Sequence, residues 1–189
     1  MERMVEKQNF FISEFNEEAA WLSFMHRQGW KFLSTNGRNY EFEQCEAADW
    51  IYQLDFKENG IEEEDYIQLF TDYGWDYTFH FGKWFYFRKM KTDAEEDLSI
   101  FSDKESKIEL CKRVINADAL RIVPILLMIL GANYLLFFTS LLQKSDFLQG
   151  ARYGVMAGSL FIFILTLNMT ISQYKKLYKM IKSYENPVK

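Results

Sequence analysis

The sequence has few of the residues on which enzymatic and metal chemistry usually depends: two histidines and two cysteines among 189 residues. His26 falls in a predicted helix and His80 in a predicted strand, and no other histidine or cysteine stands at ligand spacing from either, so we expect no metal site. The spacing indicates no Ser-His-Asp or Cys-His constellation. The nine glycines form neither of the common phosphate-binding loops. We therefore expect no enzymatic activity and no cofactor.

Charge is missing from two apolar stretches near the C-terminus, residues 122–142 and 153–174. Each has roughly 20 residues, the length at which an α-helix crosses a bilayer. The segment 143–152 between them is long enough for a turn and too short for a domain. The sequence thus predicts two transmembrane helices joined by a short loop, behind a soluble part of about 100 residues.

Basic residues flank these two stretches unevenly. The loop between them has only Lys144 and Arg152, whereas ten basic residues lie outside the hairpin: Lys104, Lys107, Lys112, Arg113, Arg121, Lys175, Lys176, Lys179, Lys182 and Lys189. Positively charged flanks favour the cytoplasmic side. We expect a cell-membrane protein with two spans, an external loop at 143–152 and both termini in the cytoplasm, including a juxtamembrane helix at 102–121 and a basic tail at 175–189.

The N-terminal segment and the cysteines agree with that topology. Residues 1–7 carry charges of both signs and lead into no apolar region, so we expect no signal peptide. Cys45 and Cys111 would both lie in the reducing cytoplasm, where a disulfide is not expected.

The soluble part is strongly acidic. Residues 1–103 contain 10 Lys or Arg against 22 Asp or Glu, a balance of −12. Because binding to phosphate backbones requires Lys and Arg, this charge argues against direct nucleic-acid binding. The segment 90–101 is read as an acidic linker between the soluble domain and the juxtamembrane helix.

An internal repeat is visible at an offset of 45 residues. Residues 16–42 align with 61–87 without a gap, and the matches include paired acidic residues, Gly-Trp pairs and a turn glycine: Glu17-Glu18 with Glu62-Glu63, Gly29-Trp30 with Gly74-Trp75, and Gly37 with Gly82. The two repeats are placed at about 5–44 and 50–89, within a domain spanning 1–89.

Each repeat predicts one extended segment, one amphipathic helix and one hairpin. The predicted segments are 9–14, 17–28, 30–35 and 38–43 in the first repeat, and 50–56, 61–73, 75–81 and 83–88 in the second. Two β-α-β-β units indicate an α+β fold, with a mostly antiparallel, ferredoxin-like sheet and two helices on one face.

Candidate partner contacts come from the acidic and aromatic residues. The acidic run at the start of the second helix and two tryptophans beside strands are the candidates: Glu62, Glu63, Glu64, Asp65, Trp50 and Trp84. Aromatic residues anchor interfaces, but each set also has a plain structural explanation, since acidic residues stabilise a helix N-terminus and aromatics fill cores. In the second span, Gly154 and Gly158 are candidates for helix packing, either within the hairpin or in a homodimer.

Several short motifs lie between residues 29 and 107: Gly29-Trp30, Tyr52-Gln-Leu-Asp55-Phe56, Tyr66 through Gly74-Trp75, Trp84-Phe-Tyr-Phe87-Arg88, and Ser106-Lys107. In these motifs, and over roughly residues 5–115, the sequence resembles a domain of unknown function from membrane proteins of Firmicute-type bacteria. The resemblance implies no catalytic residues. It implies a regulatory or sensing role, because such domains are often encoded beside PadR-type transcriptional regulators.

Two functions therefore stand as hypotheses. The first is a membrane-anchored regulatory or adaptor protein, whose acidic, aromatic-rich cytoplasmic domain binds a protein partner such as a PadR-type regulator. The alternative is a membrane-tethered small-molecule sensor, since α+β folds of this type often hold ligands between helix and sheet.

Overall fold

The structure, a computed structural model, describes residues 2–57, 60–91, 104–141 and 146–186. Its elements are β1 (Arg3–Lys7), α1 (Phe15–Arg27), β2 (Trp30–Thr35), β3 (Asn39–Gln44), β4 (Trp50–Phe56), α2 (Glu63–Thr71), β5 (Asp76–Phe81), β6 (Trp84–Met90), α3 (Lys104–Leu141) and α4 (Asp146–Glu185). Most of the predicted acidic linker, residues 92–101, lies outside the described residues. The chain divides into two compact units, Met1–Val114 with Met180–Lys189, and Ile115–Lys179.

The predicted α+β architecture, with a C-terminal pair of long apolar helices, is confirmed. The six strands form two three-stranded sheets with the orders β1-β3-β2 and β4-β6-β5, and every strand pairing in them is antiparallel. Each of the two sequence repeats runs β-α-β-β. The division into two separate sheets refines the expected architecture, because the edge strands β2 and β5 do not share a hydrogen-bonded ladder.

The first strand lies earlier in the chain than the segment predicted from the sequence. Residues 9–14 were expected to be extended, but β1 is Arg3–Lys7, and Ile12–Glu14 form a single 3₁₀ turn before α1. β1 is a mostly exposed edge strand. Such a strand needs no alternation of apolar residues, so it leaves no pattern for sequence analysis to detect.

The two sheets share a local irregularity at corresponding positions. The ladder between β2 and β3 shifts register between Phe32 and Ser34, and the ladder between β5 and β6 shifts between Tyr77 and Phe79. A β-bulge of this kind bends and twists a strand. The two bulges lie 45 residues apart in the sequence.

Corresponding aromatic contacts join each helix to its sheet. Trp21 of α1 lies 5.0 Å from Tyr40 and 5.5 Å from Phe42, measured between ring centroids. In the second repeat, Tyr66 of α2 lies 4.9 Å from Phe85. Aromatic pairs at these distances add specific edge-to-face attraction to the area that they bury.

The sheet β4-β6-β5 is buried on both faces. Side chains alternate along its strands, so Tyr86 faces the first repeat and lies 5.2 Å from Phe32, while its neighbours Phe85 and Phe87 face α2. The cluster under α2 is apolar and tightly buried: Tyr66, Phe70, Trp75, Phe85 and Phe87. These aromatic residues of the second repeat are therefore core residues.

The helices α3 and α4 have 38 and 40 residues, and both are long and apolar enough to cross a membrane. α3 begins well before the first predicted apolar stretch, and α4 extends beyond the second stretch at both ends. α4 begins at Asp146, inside the segment predicted as a loop, whose residues 143–145 lie outside the described part. Within the unit Ile115–Lys179, the Ser159 hydroxyl donates a 2.8 Å hydrogen bond to Oδ1 of Asn133 and so links α3 and α4.

Candidate functional site

The acidic run predicted as a partner contact lies at the beginning of α2. Glu62 is the residue before the helix, and Glu63, Glu64 and Asp65 form its first turn. All four side chains are exposed. Glu63 also lies 3.4 Å from Nδ1 of His80 in β5. The negative charge stabilises the helix N-terminus and at the same time faces solvent.

The outer side of α2 also exposes apolar side chains that sequence analysis did not single out. Ile61 is 38 % exposed, Leu69 49 % and Tyr73 71 %. Together with Asp65 they follow one another at intervals of four residues, which places them on one side of the helix and its ends. The acidic run and these apolar residues, Ile61, Glu62, Glu63, Glu64, Asp65, Leu69 and Tyr73, are called the α2 surface below.

The two candidate tryptophans do not belong to the α2 surface. Trp50 pairs with Met90 at one end of the β4–β6 ladder, and Trp84 pairs with Phe56 at the other end. Both are half-buried. By strand alternation they point to the face opposite α2. The structure therefore separates the acidic and the aromatic candidates, which the sequence had placed in one set.

Trp50 instead belongs to a packed group around His26. The His26 ring stacks on Trp50 at 5.7 Å, and its Nδ1 shares a 2.9 Å hydrogen bond with the Tyr52 hydroxyl. The Arg88 guanidinium lies 4.5 Å from the centre of the Trp50 ring. Burial, together with the positive charges of Arg88 and Lys31, lowers the pKa of His26 to about 4. His26 is therefore a neutral structural residue at physiological pH.

A buried carboxylate lies beneath α2. Asp55 in β4 is 1 % exposed, and its Oδ1 accepts a 3.0 Å hydrogen bond from Nη2 of Arg113 in α3. Its Oδ2 accepts a hydrogen bond from the Tyr66 hydroxyl of α2. Burial raises the pKa of Asp55, while the Arg113 charge and the Tyr66 hydroxyl act in the opposite direction. Three elements, β4, α2 and α3, thus meet at one carboxylate.

A second buried carboxylate lies on the other side of the same sheet. Oε1 of Glu18 in α1 accepts hydrogen bonds from the hydroxyls of Tyr40, at 2.9 Å, and Tyr86, at 2.7 Å. Among the described residues no Lys or Arg pairs with it. Burial is the largest influence on this group and raises the pKa of Glu18.

The sequence predicted no site role for Asp55, Arg113 or Glu18. The signal for Asp55 was present, since it is the one charged residue in the mostly apolar and aromatic strand 50–56. Arg113 carried no such signal, because it was read only as one of several basic residues before the first span. In the described part of the chain, no three His, Cys, Asp or Glu residues are grouped in a way that could hold a metal ion.

The glycine pair proposed for helix packing faces outward. Gly154 and Gly158 are exposed, and a Cβ atom added to either would have no neighbour within 4 Å. The described contact between α3 and α4 within their unit instead uses polar groups such as Asn133 and Ser159. The two glycines therefore do not pack against α3.

The fold defines a class of protein with an antiparallel α+β unit and two helices able to span a membrane. The chain belongs to the family of proteins of unknown function DUF2812, whose model matches residues 14–123. That match covers α1 to β6 and the first part of α3, and so includes both buried carboxylates. Neither a curated protein nor a solved structure matches the chain significantly.

Proposed function

We propose that this protein is a membrane-anchored adaptor whose acidic domain lies in the cytoplasm and binds a protein partner through the α2 surface. The observation that supports this most directly is the exposure of four carboxylates beside Leu69 and Tyr73 on one short helix. Exposed apolar groups beside charge of a single sign favour a partner that is basic and partly apolar.

The orientation follows from the basic residues that flank the two apolar helices. Five of them precede the first span, five follow the second, and Lys144 and Arg152 stand between the spans. This bias favours cytoplasmic termini. The α2 surface then faces the cytoplasm, where soluble regulators are accessible to it.

The specific partner we propose is a PadR-type transcriptional regulator. The resemblance of the chain to domains of Firmicute-type membrane proteins supports a regulator of this class. A DNA-binding surface is basic and so complements the α2 surface. Binding would hold the regulator at the membrane and away from DNA.

The two buried carboxylates favour the proposal that a partner binds at the surface. They argue against the alternative, in which a small molecule binds inside the domain. Glu18 bonds to Tyr40 and Tyr86, and Asp55 bonds to Tyr66 and Arg113. These carboxylates are therefore engaged by the protein itself. A ligand-dependent rise in the melting temperature of the full-length protein would favour the small-molecule sensor instead.

The test is a binding measurement with full-length protein in lipid nanodiscs and a purified PadR-type regulator from the same organism. The charge-reversed variant E62K/E64K is compared with E6K/E46K, which changes the net charge equally at other exposed positions. We expect E62K/E64K to weaken binding about tenfold or more and the control to change it less than about threefold. Equal losses, or no binding by the unaltered protein, would contradict the proposal.

A further inference from the structure

Asp55 occupies a position where a charge is costly. Its side chain lies in the layer between the sheet and α2, which is otherwise filled by aromatic residues such as Phe70, Phe85 and Phe87. A carboxylate in such surroundings is tolerated only when it is paired and hydrogen-bonded. Arg113 supplies the opposite charge and Tyr66 supplies a second hydrogen bond.

The two donors come from elements with different roles. Tyr66 lies one residue after Asp65, on the buried side of α2 beneath the α2 surface. Arg113 belongs to α3, which continues without interruption into the first apolar stretch. That stretch starts at Ile122, nine residues further along the helix, a distance of about 13 Å at the rise of an α-helix. Asp55 is thus the charged group that both α2 and α3 contact.

We propose that Arg113 couples the position of α3 to the packing of α2 on its sheet. A displacement of the first membrane helix is thereby transmitted to the α2 surface. When α3 is in place, Arg113 pairs with Asp55, which in turn holds Tyr66. When α3 shifts, a buried carboxylate loses its counter-charge, which is strongly unfavourable. The structure relieves this by admitting water or a proton at Asp55, and either change weakens the layer on which α2 rests.

α2 is suited to respond because it is short and held at few points. It has nine residues, of which Tyr66 and Phe70 are buried. α1, with 13 residues and six buried ones, contacts both sheets and is the more firmly held helix. Release of Arg113 is therefore expected to loosen α2 selectively. This inference deepens the proposed function, on which it rests for what the α2 surface binds.

The coupling is tested by hydrogen–deuterium exchange on full-length protein in lipid nanodiscs, without any partner. We expect Arg113→Met to increase exchange of α2 amides about tenfold and to leave α1 within about twofold of the unaltered protein. Lys112→Met removes an exposed charge from the neighbouring position and should change neither helix. The double variant D55N/R113M removes the unpaired charge as well and should restore most of the protection of α2.

Unchanged α2 exchange in Arg113→Met would overturn the inference, and so would an equal increase in α1 and α2, which would show only general destabilisation. If Arg113→Met does not fold, Arg113→Gln is measured instead. It removes the charge but keeps a polar side chain, so Asp55 still loses its counter-charge; an increase confined to α2 is expected and no increase overturns the coupling. Because no partner is present, failure of regulator binding contradicts the proposed function alone, whereas unchanged α2 exchange contradicts the coupling alone.

Discussion

The Tyr86 hydroxyl in β6 donates a hydrogen bond of 2.7 Å to Oε1 of Glu18 in α1, joining residues 68 positions apart in the sequence. The same oxygen accepts a hydrogen bond from Tyr40 in β3. One helix thus connects the two sheets through a single buried carboxylate. Together with Asp55 on the opposite side of the second sheet, Glu18 makes the soluble unit sensitive to the charge state of its interior.

Replacing Glu18 with Gln should change how stability depends on pH. Because burial raises the folded-state pKa of Glu18 above 4.5, the folded protein binds more protons than the unfolded chain in this range. The contribution of Glu18 to stability is then greatest below pH 4.5 and falls as the pH rises through the raised pKa. Glu18→Gln should remove this decline, as measured by denaturant titration of the full-length protein between pH 4.5 and 8. Glu17→Gln, at an exposed position of the same helix, should preserve it, and an unchanged decline in Glu18→Gln would contradict this account of the carboxylate.

His26 should affect the pH dependence of stability in the opposite direction to Glu18, and replacing it with Gln should remove that effect. The pKa of His26 falls from 6.5 to about 4 in the folded protein, so the unfolded chain binds the additional proton. His26 therefore lowers stability as the pH falls from 6.5 towards 4, by on the order of 2 kcal/mol. His26→Gln should remove this loss of stability between pH 6.5 and 4, as measured in the same titration. His80→Gln, at the more exposed histidine, serves as the control. If stability still falls steeply below pH 6.5 in both variants, groups other than His26 cause the decrease.

Phe32 is the aromatic residue that joins the two sheets. It is 1 % exposed and lies within 6.3 Å of Tyr52, Phe79 and Tyr86, measured between ring centroids. Phe32→Ala should lower the free energy of unfolding by about 3–5 kcal/mol, because it leaves a cavity at this junction. Phe24→Ala, at a side chain that is 50 % exposed, should change it by less than about 1 kcal/mol. Similar losses in both variants, measured by denaturant unfolding, would be inconsistent with the described core.

Replacement by alanine should have different effects on stability at Gly29, which follows α1, and at Gly154 in α4. Gly29 has a φ of +86°, and a Cβ atom there would lie 3.2 Å from the carbonyl oxygen of Cys45. Gly29→Ala should therefore cost about 1–3 kcal/mol. At Gly154 an added Cβ meets nothing, and alanine has the higher helix propensity. The melting temperature of full-length Gly154→Ala should be equal to or higher than that of the unaltered protein, and a clear decrease would show that this face is packed against something.

The sequence predicted the fold closely wherever local signals were strong. The hairpins around Gly37 and Gly82 and the glycines after both helices lie where they were expected, and these glycines have positive φ angles. The first strand was misplaced because Arg3–Lys7 is an exposed edge strand without an alternating pattern. The division of the strands into two sheets depends on long-range packing, such as that of Phe32 on Tyr86, which leaves no local pattern in the sequence.

The candidate site could be predicted only in part. The acidic run before Tyr66 was visible because it is contiguous, and the structure places it on the surface. The apolar residues beside it, Leu69 and Tyr73, were read as helix positions, since periodicity alone does not say which side of a short helix is covered. The pairing of Asp55 with Arg113 spans 58 positions, and a single basic residue before a membrane span is more simply explained by topology.

The most direct test of the central claim is photocrosslinking in living cells with a benzophenone amino acid in place of Leu69, in the full-length protein. We predict a crosslink to a PadR-type regulator that disappears when E62K/E64K is added and persists with E6K/E46K. The probe in place of Phe24, which is equally exposed on α1, should give no such product. A crosslink of equal yield from both positions, or one that is insensitive to E62K/E64K, would contradict the assignment of the α2 surface as the binding surface.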